Sequence, residues 1–173
     1  MSLVAMKQKD LDTLSDERLG WACMEPTFQL IRGKSPLIKS QVISQLTEGQ
    51  KALCMFRVMY DHSRNSEGEY YAWISYLQEL PGYWTGVMDS IRFFGDDLMI
   101  HLLQDTKKML EERNDKLGKE WADTAITDID REAELREAIS GLFERFEQIV
   151  PNSLRIISEY IRCHPQEFVE IED

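Results

Sequence analysis

Several things are scarce in this chain of 173 residues, and each scarcity closes off a class of protein. There are three cysteines, Cys23, Cys54 and Cys163. An odd number with no C-x-x-C spacing excludes a disulfide framework or a thiolate zinc site, and their apolar helical surroundings predict reduced, buried thiols. No run approaches the roughly 18 uninterrupted apolar residues that cross a bilayer, and the opening MSLVAMKQKD lacks the apolar stretch of a secretory signal. The expectation is a cytoplasmic protein. Only nine glycines and five prolines are present, with no Gly-rich phosphate loop, no nucleophile elbow and no Cys/His pair at a useful spacing. Covalent catalysis has no candidate residue and no cofactor motif is present, which favours a non-enzymatic role.

Positive charge is also short in one half. Residues 1–95 hold 10 Lys/Arg against 11 Asp/Glu, whereas residues 96–173 hold 10 against 20, giving the net of −11. Nucleic-acid phosphates and anionic membranes are both bound through Lys and Arg, so direct binding to either is not expected.

What the chain does have is helical periodicity. Leu135, Ala138, Ile139, Leu142, Phe143, Phe146, Ile149 and Val150 form one amphipathic stripe, with Pro151 as the expected stop. Trp84, Val87, Met88, Ile91 and Phe94 repeat the pattern up to Gly95, and Tyr70, Trp73, Ile74, Leu77 and Leu80 do so up to Pro81-Gly82. Asp96 is placed to cap a helix through Leu110, and Thr47 with Gln50 resembles a capping box opening a central helix over Ala52 to Tyr60. The final helix is expected from about Asn152 to His164-Pro165. Pro26 must kink or divide any helix in 15–33. Residues 111–131 read as a helix end, a loop and a short helix. No repeat and no alternating strand pattern is present. The predicted fold is all-α, an irregular bundle of about eight helices, with a flexible tail over 1–14 and one helical domain over 15–173.

The histidines suggest no catalysis. His62 follows Asp61 near a helix C-terminus, where the dipole favours it. His101 has Asp97 and Asp105 four residues to either side, a surface ion-pairing arrangement, and His164 terminates a helix. No Glu-x-x-His motif supports a di-metal site, and Asp128, Asp130 and Glu132 lack the central glycine and distal glutamate of a calcium loop. No metal ligands are expected.

Two features stand above this background. Tyr70, Tyr71, Trp73, Tyr76, Tyr83 and Trp84 crowd fifteen residues, more than one helix face can bury. They read as core and corner residues or as an exposed binding surface. Glu111, Glu112, Asp115, Glu120, Asp123, Asp128, Asp130, Glu132 and Glu134 lie within 24 residues. They read as an ordinary solvated face or as an acidic interaction surface, interrupted by Lys107, Lys108, Arg113, Lys116, Lys119, Arg131 and Arg136.

LTEGQKAL, then Asp61-His62, EGEYYAWISYL, a Trp-containing second helix and FFGDDLMIHLL follow one another over residues 46–110. With the closing LFERFEQIVPNSLRIISEYIRCHPQEFVEIE, this order resembles the DNA-mimic type of all-helical domain, a group mostly catalogued as domains of unknown function. The likeness spans about 120 residues; where the group carries an Asn-Gly-Gly-rich turn, this chain reads Asn65-Ser66-Glu67-Gly68-Glu69-Tyr70, with one glycine. The resemblance implies an acidic, dimeric helical protein, one relative of which copies the charge of DNA and occupies a DNA-binding protein. Carboxylates at i and i+4 stand roughly 6 Å apart along a helix and can imitate phosphates.

The leading expectation is therefore a protein–protein interaction module, with a basic partner in its sharpest form and a homodimer through exposed aromatics as a further possibility. The alternatives are a small-ligand binder or enzyme with a pocket lined by Tyr70, Trp73 and Trp84 and rimmed by Asp61 and His62, and a toxin-neutralising immunity protein.

Overall fold

The computed structural model describes residues 3–172, and the all-α expectation holds. Among the described residues there are nine α-helices: α1 (Gln8–Thr13), α2 (Asp16–Ile31), α3 (Pro36–Ser44), α4 (Glu48–Ser63), α5 (Glu67–Glu79), α6 (Tyr83–Phe94), α7 (Asp97–Leu117), α8 (Asp128–Arg131) and α9 (Ala133–Cys163). Single 3-10 turns sit at Trp121–Asp123 and Pro165–Glu167, and two short strands, β1 (Val4–Lys7) and β2 (Val169–Glu172), complete the elements.

Local chemistry sets many of the ends. Gly95 closes α6 in the left-handed region at φ 75°, a backbone conformation strained for any residue with a Cβ, and Asp96 then opens α7 by accepting a hydrogen bond from the Met99 N–H at 3.1 Å. Thr47 and Gln50 form the reciprocal capping box at the start of α4, each side chain accepting the other's backbone N–H at 3.1 Å. Ser66 caps α5.

Three expectations are corrected and a fourth, for Pro26, is narrowed. Pro151 does not end a helix: α9 runs through it for 31 residues. Pro151 and Glu147 are both exposed, so the carbonyl that the proline leaves unbonded is open to water. Pro26, also exposed, likewise leaves α2 undivided. Residues 4–14 are not a flexible tail but β1 and α1, with Met6 and Leu11 buried. A sheet is present after all: β1 pairs in parallel with β2, Val4 opposite Val169 and Lys7 opposite Glu172.

The chain packs as two compact units, a split one of Met1–Cys54 with Asn152–Asp173 and a continuous one of Met55–Pro151. In the split unit Leu19, Cys23, Met24, Leu53, Ile161 and Phe168 are fully buried. Arg162 ties it together, donating to the backbone carbonyls of Leu11 at 3.1 Å and Leu14 at 2.7 Å and to Asp16 at 3.2 Å. The Gly49 N–H at the start of α4 donates to the Glu167 carboxylate at 2.9 Å, a favourable charge at a helix N-terminus. A Cβ on Gly49 would lie 2.6 Å from that carboxylate and 2.7 Å from the Phe168 ring, so only glycine permits this approach. The continuous unit buries Phe56, Met59, Tyr70, Tyr71, Ile74, Leu77, Val87, Ile91, Leu102, Leu103 and Ile139. Each large apolar side chain contributes roughly 1.5–3 kcal/mol on burial.

Cys23 and Cys54 are buried as expected, and burial pushes their thiols up to about 12 and about 11, which keeps them protonated. Cys163 departs from the expectation and is exposed. No helix among the described residues is long and apolar enough to cross a membrane.

Candidate interaction surface

The six aromatic residues divide by depth. Tyr70 and Tyr71 face inward from α5 and are fully buried. Tyr70 packs against Phe143 and Phe146, with ring centroids 5.9 and 5.1 Å away, and its hydroxyl bonds the Thr106 hydroxyl at 2.7 Å. Burial raises its ionisation above the ordinary tyrosine value. Trp73 is half-buried, its indole N–H donating to the Val58 carbonyl at 2.8 Å while its ring stacks on His62 at 3.8 Å and leans on Tyr76 at 5.0 Å. Tyr76 and Tyr83 are exposed. Trp84 lines an open cavity of about 480 Å³ with Thr85, Met88, Arg92, Gln104, Lys107, Lys108 and Glu111.

The pocket expected at Tyr70, Trp73 and Trp84 is thus not assembled: Tyr70 is core, Trp73 is held by α4, and Trp84 faces α7. Asp61 bonds Arg57 at 3.1 Å, and burial raises its carboxyl against the lowering effect of that guanidinium.

The acidic residues divide in the same way. Asp128 and Glu132 are not part of a solvated face. Asp128 is buried and accepts hydrogen bonds from the Tyr71 hydroxyl at 2.8 Å and the Ala125 N–H at 3.2 Å. Arg113 grips Glu132 with two bonds of 2.8 and 2.7 Å and reaches Asp128 at 3.4 Å, while Lys119 lies within 3.8 Å of both carboxylates. Burial alone would raise the Asp128 carboxyl, but the Ala125 N–H, Tyr71, Lys119 and Arg113 together hold it below the ordinary value. Glu132 is lowered chiefly by the hydrogen bonds from Arg113. The two carboxylates are therefore structural anchors of the segment joining α7 to α9.

The other seven are at or near the surface. Glu111 pairs with Lys107 at 3.0 Å and Glu112 approaches Lys108 at 4.0 Å. Asp123 accepts the Glu120 N–H at 2.8 Å, bracing the 3-10 turn. Asp115, Asp130 and Glu134 are exposed and make no ion pair among the described residues. The expected pairing of His101 with Asp105 is replaced, because Asp105 bonds Arg145 at 3.0 Å.

Sequence reasoning named Glu134 but missed the acids that continue from it along α9, Glu137, Glu144 and Glu147. Glu134, Glu137, Glu144 and Glu147 of α9 are all exposed, while Leu135, Ile139, Leu142, Phe143 and Phe146 of the same helix are buried. The stripe that predicted this helix also implied its outer carboxylates. Two cations that interrupt the row are engaged elsewhere: Arg136 donates to the carbonyls of Ile129 and Asp130 at 2.9 and 2.8 Å, and Arg145 to Asp105. The continuous unit carries 11 Lys/Arg against 20 Asp/Glu, a net of −9, and the split unit 9 against 11, a net of −2.

No family model, no curated protein and no solved structure matches this chain.

Proposed function

We propose that the chain is a non-enzymatic interaction module whose continuous unit offers carboxylates to a basic protein, as the resemblance to DNA-mimic domains implies. The observation that supports this reading is the outer row of α9. Glu134, Glu137, Glu144 and Glu147 stand exposed over a buried apolar face, in a unit of net charge −9. At 1.5 Å rise per residue the row spans roughly 20 Å, long enough to face several Lys or Arg side chains of a partner. Three cations of the unit are already paired with acids outside the row, Arg113 and Lys119 with Asp128 and Glu132, and Lys107 with Glu111.

The test is titration with a basic DNA-binding protein, with and without competing duplex DNA. Binding is expected to be displaced by DNA and to weaken steeply from low to physiological salt. It is also expected to fall when Glu134, Glu137, Glu144 and Glu147 are all replaced by Gln. Binding indifferent to salt and to those four substitutions would overturn the proposal.

A second reading rests on the cavity beside Trp84, whose volume of about 480 Å³ lies within the range of small-molecule pockets. It predicts that a bound compound changes the Trp84 fluorescence, and a ligand screen that leaves the fluorescence of wild type and Trp84→Phe equally unmoved would dismiss it.

A further inference from the structure

The longest stretch of the chain free of carboxylates is also its most exposed apolar stretch. From Pro26 to Thr47 there is no Asp or Glu, although the whole chain holds 31. This stretch contains the end of α2, a turn through Gly33 at φ 69°, and α3, which packs back on α2. Ser35 caps α3 and Pro36 occupies its first turn, so the helix is locally well specified. It is nevertheless poorly buried. Of its apolar residues, Leu37 is 69% exposed and Ile38 41%, Val42 and Ile43 are only half-buried, and no residue of α3 is fully buried. Leu30, at the end of α2, is 51% exposed. A helix of nine residues gains little from propensity alone and ordinarily depends on a packed face.

Arg32, Lys34 and Lys39 make no ion pair among the described residues, and Arg32 and Lys34 are exposed at the turn. Long aliphatic side chains beside unpaired cations match the layering of a bilayer surface, with hydrocarbon below and phosphates above. Two open cavities are lined by residues of the continuous unit. Leu30, Leu37 and Ile38 project into solvent on the same hairpin as those cations, which is the pairing of apolar and basic side chains that an anionic bilayer surface takes.

We infer that the α2–α3 hairpin is a docking surface for an anionic lipid membrane, Leu30, Leu37 and Ile38 entering the acyl boundary while Arg32, Lys34 and Lys39 meet the headgroup phosphates. The chain's net charge of −11 does not forbid this, since at physiological ionic strength charges farther than about 8 Å are largely screened. It keeps the attachment reversible and confined to the hairpin.

The experiment is co-sedimentation of the full chain with vesicles of equal parts phosphatidylglycerol and phosphatidylcholine, against phosphatidylcholine alone, at physiological ionic strength. Wild type is expected on the anionic vesicles only. Replacing Arg32, Lys34 and Lys39 together by Gln lowers partitioning by on the order of 100-fold, at about fivefold per cation. Leu37→Ser alone lowers it by about tenfold. These side chains are on the surface, so unchanged circular dichroism is expected and keeps the comparison fair. Wild type left in the supernatant, or sedimentation unmoved by both substitutions, overturns the inference. Binding of soluble polyglutamate with the same dependence on Leu37 also overturns it, and reassigns the hairpin to an acidic protein partner.

Discussion

The two units are each tied by one arginine, but to different chemistry. In the split unit Arg162 grips two backbone carbonyls, those of Leu11 and Leu14, and only one carboxylate. In the continuous unit Arg113 grips two carboxylates, Glu132 and Asp128, with Lys119 beside them. A carbonyl accepts a hydrogen bond at any pH, whereas a carboxylate does so at full strength only while ionised. The arginine anchor of the split unit, whose net charge is −2, thus rests mainly on contacts indifferent to acid, and that of the unit of net −9 on contacts that acid removes. The comparison shows that a strongly acidic unit can draw its own anchors from its excess of carboxylates.

Substitution of Arg113 tests this contrast most severely. Arg113→Ala leaves Glu132 and Asp128 without their main cation and is expected to cost about 2–3 kcal/mol in urea unfolding. Hydrogen exchange should lose protection at α8 and the start of α9 but not at β1 or α1. Equal loss in both units would break the contrast. Arg162→Ala is its mirror image, expected to cost about 2 kcal/mol, with protection lost at α1 and the start of α2.

Acid gives a graded version. Asp128 and Glu132 are held below their ordinary values, so their stabilisation is complete above about pH 5 and is lost as the pH falls through their folded values. Asp61 acts in the opposite sense, since burial raises its carboxyl and protonation relieves that cost. Exchange followed from about pH 6 to about pH 3 should therefore show α8 opening before α1. The smallest effect is expected from Tyr71→Phe, which removes one hydroxyl from Asp128 and costs about 1 kcal/mol, a shift of a few degrees in the unfolding midpoint.

Much of this fold is legible in the sequence wherever a few neighbouring residues decide the structure. Asp96 with Gly95, and Thr47 with Gln50, mark helix ends by local hydrogen bonds, and the stripe from Leu135 to Val150 marks a buried face. The illegible parts are decided at long range. Tyr71 and Asp128 meet across 57 positions, so neither the depth of Asp128 nor its loss from the acidic surface could be read locally. β1 and β2 are four residues each and are joined only by pairing between distant segments. The apolar residues of α3 are spread around the helix with no single stripe, which hides the element and, with it, its exposed leucine and isoleucine. Pro151 misled because a proline's cost in a helix depends on whether its freed carbonyl meets water, a matter of depth that sequence does not record.

The pairing of Val4 with Val169 has a consequence for the order of events during folding. Closing a loop of about 165 residues carries a large entropic cost before any strand contact repays it. The continuous unit needs no such closure and can assemble from one uninterrupted stretch of polypeptide, whereas the split unit must wait for segments from both flanks. In a refolding reaction sampled by pulsed deuterium labelling, the amides of α5 to α7 should therefore gain protection early and those of β1 last.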